Sequence, residues 1–372
     1  ILVSEIKCMK IQDITDYLET LAPLDYQESY DNCGLITGDK NTTVKKILIT
    51  LDVTEDVLEE AIRENCNLVV AHHPIIFGGL KKLNGKNYVE RVVIKAIKNN
   101  IAIYAIHTNY DNVLHGVNAM IAEKIGLENC SILDPKRKLL KKLYTFIPVA
   151  HYEKVSRAVF EAGAGHIGNY SETGFSSVGT GTFKGNEASN PAYGKKGMVE
   201  KVEEMKFETI FPANIERKVI SALLKAHPYE EVAFDILSLD NAYSKVGSGM
   251  IGSLKKPMEE MAFLKMLKKA LGTGAVRYTA LRGRPVQKVA VCGGAGRFLL
   301  NNAIAAGADV FVSADFKYHD FFDADNKIVV ADVGHYESEQ FTRDLLAKEI
   351  RQKFPIIAAL ISKVNTNPIK YL

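Results

Sequence analysis

The sequence contains no long hydrophobic run and carries little net charge. No apolar stretch approaches the roughly 18 residues that a membrane-spanning helix needs, so we expect no membrane association. Lys and Arg number 47 and Asp and Glu number 44, which leaves a net charge of +3. A dedicated nucleic-acid-binding protein carries a larger basic excess, so nucleic acid is not an expected partner unless lysines gather on one surface.

Cysteines are also few. They are Cys8, Cys33, Cys66, Cys130 and Cys292. Their odd number and wide spacing, without a CxxC pair, are typical of reduced, buried thiols in a cytoplasmic protein rather than of a disulfide framework or a thiolate zinc site. Residues 1–7 show no secretory signal layout, and because the chain starts with Ile1 we expect the natural start at Met9 or upstream.

The length and the hydrophobic pattern predict three domains in an α/β protein. A chain of 372 residues with 47% hydrophobic residues is expected to form two to three domains. Apolar runs of strand length alternate with helical patterns near both ends of the chain, at 46–52, 67–71, 101–106, 286–292, 309–313 and 327–333. Such alternation predicts largely parallel sheets covered by helices on both faces. We therefore predict a two-lobed α/β body, with one lobe at 9–137 and the other at 245–372.

The middle of the chain follows a different pattern. Its elements are predicted in the order strand, helix, strand, strand, helix, strand, starting at 143–150 and ending at 231–237. This is the ferredoxin-like order. We therefore predict that residues 138–244 form an α+β domain inserted into the α/β body.

Side chains that can bind metals follow three predicted strands at their carboxyl ends. They are His72, His73, His107, Asp111, His335 and Glu339. That edge of an α/β sheet is where ligands bind. His335 and Glu339 are four residues apart, on one face of a helix. The adjacent His72 and His73 point in different directions, which suits two neighbouring ions bridged by a carboxylate.

Imidazole and carboxylate ligands without a thiolate favour Zn, Mn or Fe over Ca. The alternative is that each histidine is a structural, hydrogen-bonded residue, and the spacing alone leaves both interpretations open.

Six segments together make the sequence resemble a known family. In chain order they are DNCGL (31–35), AHHPIIF (71–77), HTNYD (107–111), VAVCGGAG (289–296), KYHD (317–320) and GHYESE (334–339). The chain resembles the Nif-three-like family, whose bacterial members are often labelled GTP cyclohydrolase 1 type 2 homologues. The resemblance covers about 9–137 and 245–372. Two positions depart from the family pattern: Tyr30 replaces a frequent Trp, and Ser313-Ala314 replaces a frequent Thr-Gly.

The resemblance implies a dinuclear metal centre and a ring-like hexamer. The implied ligands are His72, His73, Asp111, His335 and Glu339, with His107 as a further ligand or as a partner of one. It implies two divalent ions per chain, with Zn expected first and Mn or Fe as alternatives.

The middle domain resembles the CutA-like domain of longer family members, most clearly in HPYEEVAFDI (227–236), and it would then cap or line the ring opening. A metal site at His227 is the less favoured interpretation of that segment, because a helix end followed by an edge strand also explains it.

Two further features suggest how a substrate is handled. The glycine-rich turn at 293–296 could bind a phosphate beside Arg297 or Arg282, although tight turns require glycine in any case. His107 and His319 are candidate proton shuttles.

From the implied pair of ions we expect a cytoplasmic, metal-dependent hydrolase acting on a nucleotide or another phosphorylated small molecule. The alternative is a non-catalytic regulatory or scaffold protein with structural ions and a ligand-sensing insert.

Overall fold

The computed structural model describes residues 9–372, so Cys8 and residues 1–7, with the expectations attached to them, lie outside the described residues. The chain divides into two compact units. One contains the chain up to Pro135 together with Ser244–Leu372, and the other is Lys136–Tyr243. The inserted domain is predicted from the sequence at 138–244. Within residues 9–372, no helix is both long and apolar enough to cross a bilayer.

The first unit contains two sheets and nine helices within the described residues. Its elements before the insert are α1 (Ile11–Leu21), β1 (Gly34–Thr37), β2 (Lys46–Thr50), α2 (Glu55–Arg63), β3 (Leu68–Ala71), α3 (Tyr88–Lys98), β4 (Ala102–Ala105), α4 (Thr108–Asp111), α5 (Val117–Lys124) and β5 (Leu127–Arg137). The inserted unit contains β6 (Leu140–Pro148), α6 (Tyr152–Glu161), β7 (Gly174–Lys184), β8 (Val199–Pro212), α7 (Glu216–Ala226) and β9 (Phe234–Leu239). The elements after it are β10 (Ala242–Met258), α8 (Glu260–Leu271), β11 (Arg277–Tyr278), β12 (Val286–Ala295), α9 (Leu300–Ala305), β13 (Val310–Ala314), β14 (Val329–Asp332), α10 (His335–Glu339), α11 (Thr342–Lys353) and β15 (Ala358–Ile361).

Each sheet of the first unit contains strands from before the insert and from after it. The first sheet has the order β1-β4-β3-β2-β15, and its four strands from β4 to β15 are parallel. The second has the order β11-β14-β13-β12-β10-β5, with β12, β13 and β14 parallel. The sheets therefore do not divide where the sequence pattern divides, because β15 joins the first sheet and β5 joins the second.

The central strands are apolar along their whole length because helices cover both faces of the sheet. Every residue of β3 and β4 is buried. One core places α1, α5, α8 and α11 against residues of both sheets, for example Val70 and Val312. A second core places α2 and α3 against the opposite face of the first sheet, where Val69 and Ile103 point.

The inserted unit is a four-stranded antiparallel sheet with two helices on it. Its order is β7-β8-β6-β9, and each neighbouring pair is antiparallel. Leu143 and Phe207 of the sheet pack against Val155 of α6 and Leu223 of α7. The α/β body with a ferredoxin-like α+β insert is therefore confirmed.

Candidate metal centre

The carboxyl ends of two strands and one short helix bring the histidines of the first unit together. His72 and His73 directly follow β3, His107 follows β4, and His335 begins α10. The centre of the His73 ring lies 4.9 Å from that of His72, 5.1 Å from that of His107 and 5.2 Å from that of His335. Residues separated by more than 260 positions in the chain thus form one cluster.

One group of possible ligand atoms contains His72, Asp111 and Glu339. His72 Nε2 lies 3.6 Å from Asp111 Oδ1 and 3.9 Å from Glu339 Oε1. Both His72 Nε2 and Asp111 Oδ1 are buried without a hydrogen-bond partner. These separations are too long for hydrogen bonds, but two ligands of a tetrahedral Zn²⁺ lie about 3.3 Å apart when each bond is about 2.0 Å. A shared ion would satisfy both atoms.

A second group contains His73, His335 and Glu339. Glu339 Oε2 lies 3.0 Å from His73 Nε2 and 3.1 Å from His335 Nε2, and the two Nε2 atoms are 3.4 Å apart. The two groups share Glu339, which turns one carboxylate oxygen toward each. This is the arrangement that a carboxylate bridging two ions requires.

Glycine makes room for this carboxylate. Gly294 of β12 has a φ of +59°, and a Cβ atom there would lie 2.5 Å from Glu339 Oε1 and 3.1 Å from His335 Cε1. Any larger residue would therefore force Glu339 Oε1 to move as well as strain the backbone.

Each imidazole is held through its Nδ1 atom. His72 Nδ1 lies 2.8 Å from the Ile106 carbonyl oxygen, whereas the Nδ1 atoms of His73 and His335 lie 2.7 Å from carboxylates of Asp52 and Asp315. Carbonyl and ionised carboxylate oxygens only accept, so Nδ1 carries a proton and Nε2 is the atom left to bind a metal. Carboxylates and carbonyls orient metal-binding histidines in this way.

Sequence reasoning missed the roles of Asp52 and Asp315. Asp52 lies two residues beyond β2, and Asp315 directly follows β13. Both are acidic residues at the same sheet edges that identified the histidines, so the same rule applied to carboxylates could have found them.

The ionisation of the cluster reflects its burial and its close opposite charges. Burial disfavours the charged imidazolium, but hydrogen bonds to Asp52 and Glu339 prevail and raise the pKa of His73 to about 9. Burial also opposes the charged form of His335, but the charge of Glu339 and the hydrogen bond to Asp315 outweigh it and raise the pKa of His335 to about 11. Burial, followed by the charge of Glu339, raises the pKa of Asp111 to about 7. The pKa of Glu339 is lowered despite burial, because His335 stabilises its charge. Without metal ions, the protonated imidazoles of His73 and His335 therefore stabilise the negative charge of Glu339.

The structure separates the two candidate proton shuttles. His107 joins His72 and His73 in a third group of possible ligands, and its Nδ1 lies 2.8 Å from Asp31 Oδ1. His319 is exposed and contacts the rings of Tyr318 and Phe322. His319 does not line the cavity described below, so the structure does not bring it to the cluster.

A cavity of about 640 Å³ opens onto the cluster. Its walls include the side chains of His73, His107, Asp111, His335 and Glu339. Aromatic and amide side chains complete the lining, among them Tyr30, Phe77, Tyr88, Phe298, Asn112 and Asn118. The volume is in the usual range for small-molecule sites.

Two other features have structural explanations. In the turn at 293–296, the N–H groups of Gly293, Gly294 and Gly296 donate to side-chain oxygens of Asn118, Ser338 and Ser313. These N–H groups are not free to bind a phosphate. The structure therefore favours the other interpretation of the turn, in which glycine serves only the tight change of direction. Of the two candidate cations, Arg297 pairs with Asp320 and Asp323, and Arg282 pairs with Asp309.

In the inserted unit, His227 ends α7 and uses both ring nitrogens. Nε2 lies 3.0 Å from the Phe146 carbonyl oxygen, and Nδ1 lies 3.2 Å from the Tyr229 N–H nitrogen. The local backbone therefore accounts for this histidine without a metal.

Comparisons with known proteins agree along almost the whole chain. Residues 9–368 match the family described as Duf34/NIF3 (NGG1p interacting factor 3). A Bacillus subtilis protein called "GTP cyclohydrolase 1 type 2 homolog" is 38% identical, over 98% of this chain and 100% of its own length. The crystal structure of a Bacillus cereus protein related to NIF3 has a TM-score of 0.87 and 39% identity, and covers 98% of this chain and 100% of that one. A Staphylococcus aureus protein has a TM-score of 0.77 and 29% identity, with coverage of 98% and 99%.

Proposed function

The chain belongs to the Duf34/NIF3 family, and from that premise we propose that it is a metal-dependent hydrolase with two divalent ions. His72, Asp111 and Glu339 would hold one ion, and His73, His335 and Glu339 would hold the other. The observation that carries this proposal is the pair of three-atom groups that share Glu339 beside an open cavity. Zn is expected first and Mn or Fe are alternatives, since all ligands are nitrogen or oxygen atoms.

A catalytic function is favoured over a structural one because each proposed ion would have only three protein ligands. Each group supplies three protein atoms, as catalytic zinc sites do, whereas structural zinc sites use four. Bound divalent ions would activate water near neutral pH and stabilise the negative charge that develops during hydrolysis. The protein itself orients the imidazoles through Nδ1. His107, whose Nδ1 lies 2.8 Å from Asp31 Oδ1, would serve as the proton shuttle through Nε2.

The proposed substrate is a nucleotide or another phosphorylated small molecule. The name of the Bacillus subtilis relative refers to a GTP cyclohydrolase, and activated water attacking a purine ring is compatible with this kind of centre. The test is a panel of nucleotides and phosphoesters given to metal-loaded protein. We expect turnover that is lost in both His72→Ala and Glu339→Ala and retained in His319→Ala. Turnover that survives in metal-depleted ligand variants would contradict the proposal.

A regulatory function is the second candidate, and one observation in the inserted unit favours it. A separate cavity of about 840 Å³ lies there between β7, β8 and the segment that follows α7, and Phe183, Lys206 and Tyr229 contribute to its walls. If the insert binds an effector, Lys206→Ala should abolish that binding without changing the metal content. Metal-loaded protein that hydrolyses no compound of the panel but binds a small molecule through the insert would favour this function.

We further propose a ring-like hexamer in the cytoplasm, with a CutA-like insert. The described cysteines are all free thiols, as expected in a reducing compartment. Light scattering of the purified chain tests the hexamer, and a mass of one or two subunits at micromolar concentration would contradict it.

A further inference from the structure

The cavity beside the metal centre lacks lysine and arginine side chains. Among the described residues that line it, Lys and Arg do not occur, whereas the carboxylates of Glu28, Asp52, Asp111 and Glu339 do. Two divalent ions would bring four positive charges, which these four carboxylates balance. The loaded cavity would therefore be close to neutral, without the surplus positive charge that attracts polyanions.

The two arginines considered as phosphate ligands and the glycine-rich turn do not alter this balance. Arg282 and Arg297 do not line the cavity, and each is paired with aspartates. The N–H groups of Gly293 and Gly294 already donate to side chains. A phosphate could contact the ions themselves, but a second or third phosphate would meet carboxylates and aromatic rings. Phosphate-binding sites instead use bidentate arginine side chains or free backbone N–H groups.

The same cavity exposes several aromatic rings. Tyr30 is 67% exposed, Phe77 is 55% exposed and Phe298 is 60% exposed, although large apolar side chains are stabilised by burial. The centre of the Phe77 ring lies 5.7 Å from that of His107, so this ring stands directly beside the proposed metal centre. Flat heterocycles stack on such rings.

We infer that this cavity takes a flat heterocycle of nucleoside size that carries at most one phosphate, and excludes nucleoside polyphosphates. The inference rests on the proposed metal centre and narrows its substrate class. The ring would cover the aromatic side chains, while a polar group of the ligand would face the ions.

Calorimetric titration of the zinc-loaded full chain with guanosine, GMP and GTP tests this inference, with metal content measured after each titration. We expect GTP to bind at least tenfold more weakly than guanosine. Phe77→Ala should weaken guanosine binding about tenfold, because stacking on one aromatic ring contributes roughly 1–3 kcal/mol. Phe322→Ala is the matched control, since this ring is also exposed but does not line the cavity.

Glu28→Gln adds a test of the charge argument. Removing one negative charge should raise the affinity for GTP relative to guanosine by about threefold or more. GTP that binds more tightly than guanosine while the ions stay on the protein would overturn the inference and leave the hydrolase proposal intact. GMP binding without turnover would support the inference and count against the hydrolase. An unchanged guanosine affinity in Phe77→Ala, with a lower assembly mass, would overturn the inference by assigning the ring to self-association.

Discussion

Glu339 is the residue whose replacement should affect both ions at once. One of its carboxylate oxygens faces His72, and the other faces His73 and His335. Glu339→Gln keeps the shape of the side chain but removes its charge, so it should prevent stable binding of either ion. His72→Ala removes an atom from one group only and should leave one ion in place.

The expected stability change follows from mass action. A ligand present at 100 times its dissociation constant stabilises the folded state by about 2.7 kcal/mol. For a chain with a unit of this size, each kcal/mol raises Tm by roughly 2–4 °C, so one ion should raise Tm by roughly 5–10 °C. Added metal should raise the Tm of the wild type by twice this amount and that of His72→Ala by this amount once. It should not raise the Tm of Glu339→Gln.

The assay is thermal unfolding with added Zn²⁺ or chelator, together with elemental analysis of dialysed protein. Glu337→Gln is the matched control. Glu337 lies on the same helix and is similarly buried, but it bonds to Asn367 and belongs to neither group. The control should retain two ions. Two ions retained in Glu339→Gln, with the wild-type rise in Tm, would refute the bridging role.

Three other predictions concern pH, ligand orientation and domain independence. The folded pKa of His73 is raised to about 9, so in metal-free protein its stabilising effect is present below about pH 6.5 and is lost as the pH rises through 9. Urea unfolding from pH 6 to 10 should show a fall in stability that is smaller in His73→Gln by at most roughly 3 kcal/mol. The variant keeps the part of the fall due to His335, whose pKa is raised to about 11. Asp52→Asn should weaken zinc binding about 10–100-fold in chelator competition, because Asp52 orients His73. Deleting residues 138–244 should leave a folded, metal-binding protein by circular dichroism and elemental analysis, since the insert has its own core.

Each of these three has an outcome that would contradict it. A pH profile shared by wild type and His73→Gln would show that another group causes the loss. Unchanged zinc affinity in Asp52→Asn would mean that packing alone holds the imidazole. Aggregation of the deleted chain would show that the first unit depends on the insert.

Local patterns in the sequence were enough to predict the central parallel strands and the residues at their ends, but not α1, β1 or β15. A parallel strand buried on both faces has to be apolar throughout. A run such as 67–71 can therefore be recognised as a buried strand without knowledge of the fold. The carboxyl ends of parallel strands share one edge of a sheet, and this placed His72, His73 and His107 near one another. The four-residue spacing of His335 and Glu339 determined that they share a helix face.

Only the tertiary structure decided how these residues combine. Glu339 belongs to both ligand groups because α10, near the end of the chain, lies beside the end of β3, and no local pattern encodes that contact. The turn at 293–296 was ambiguous for the same reason: whether its N–H groups are free depends on Asn118 and Ser338, which are distant in sequence. Secondary structure follows from short-range periodicity, whereas the proton positions and the charge balance of the centre follow from which distant groups are brought within 4 Å.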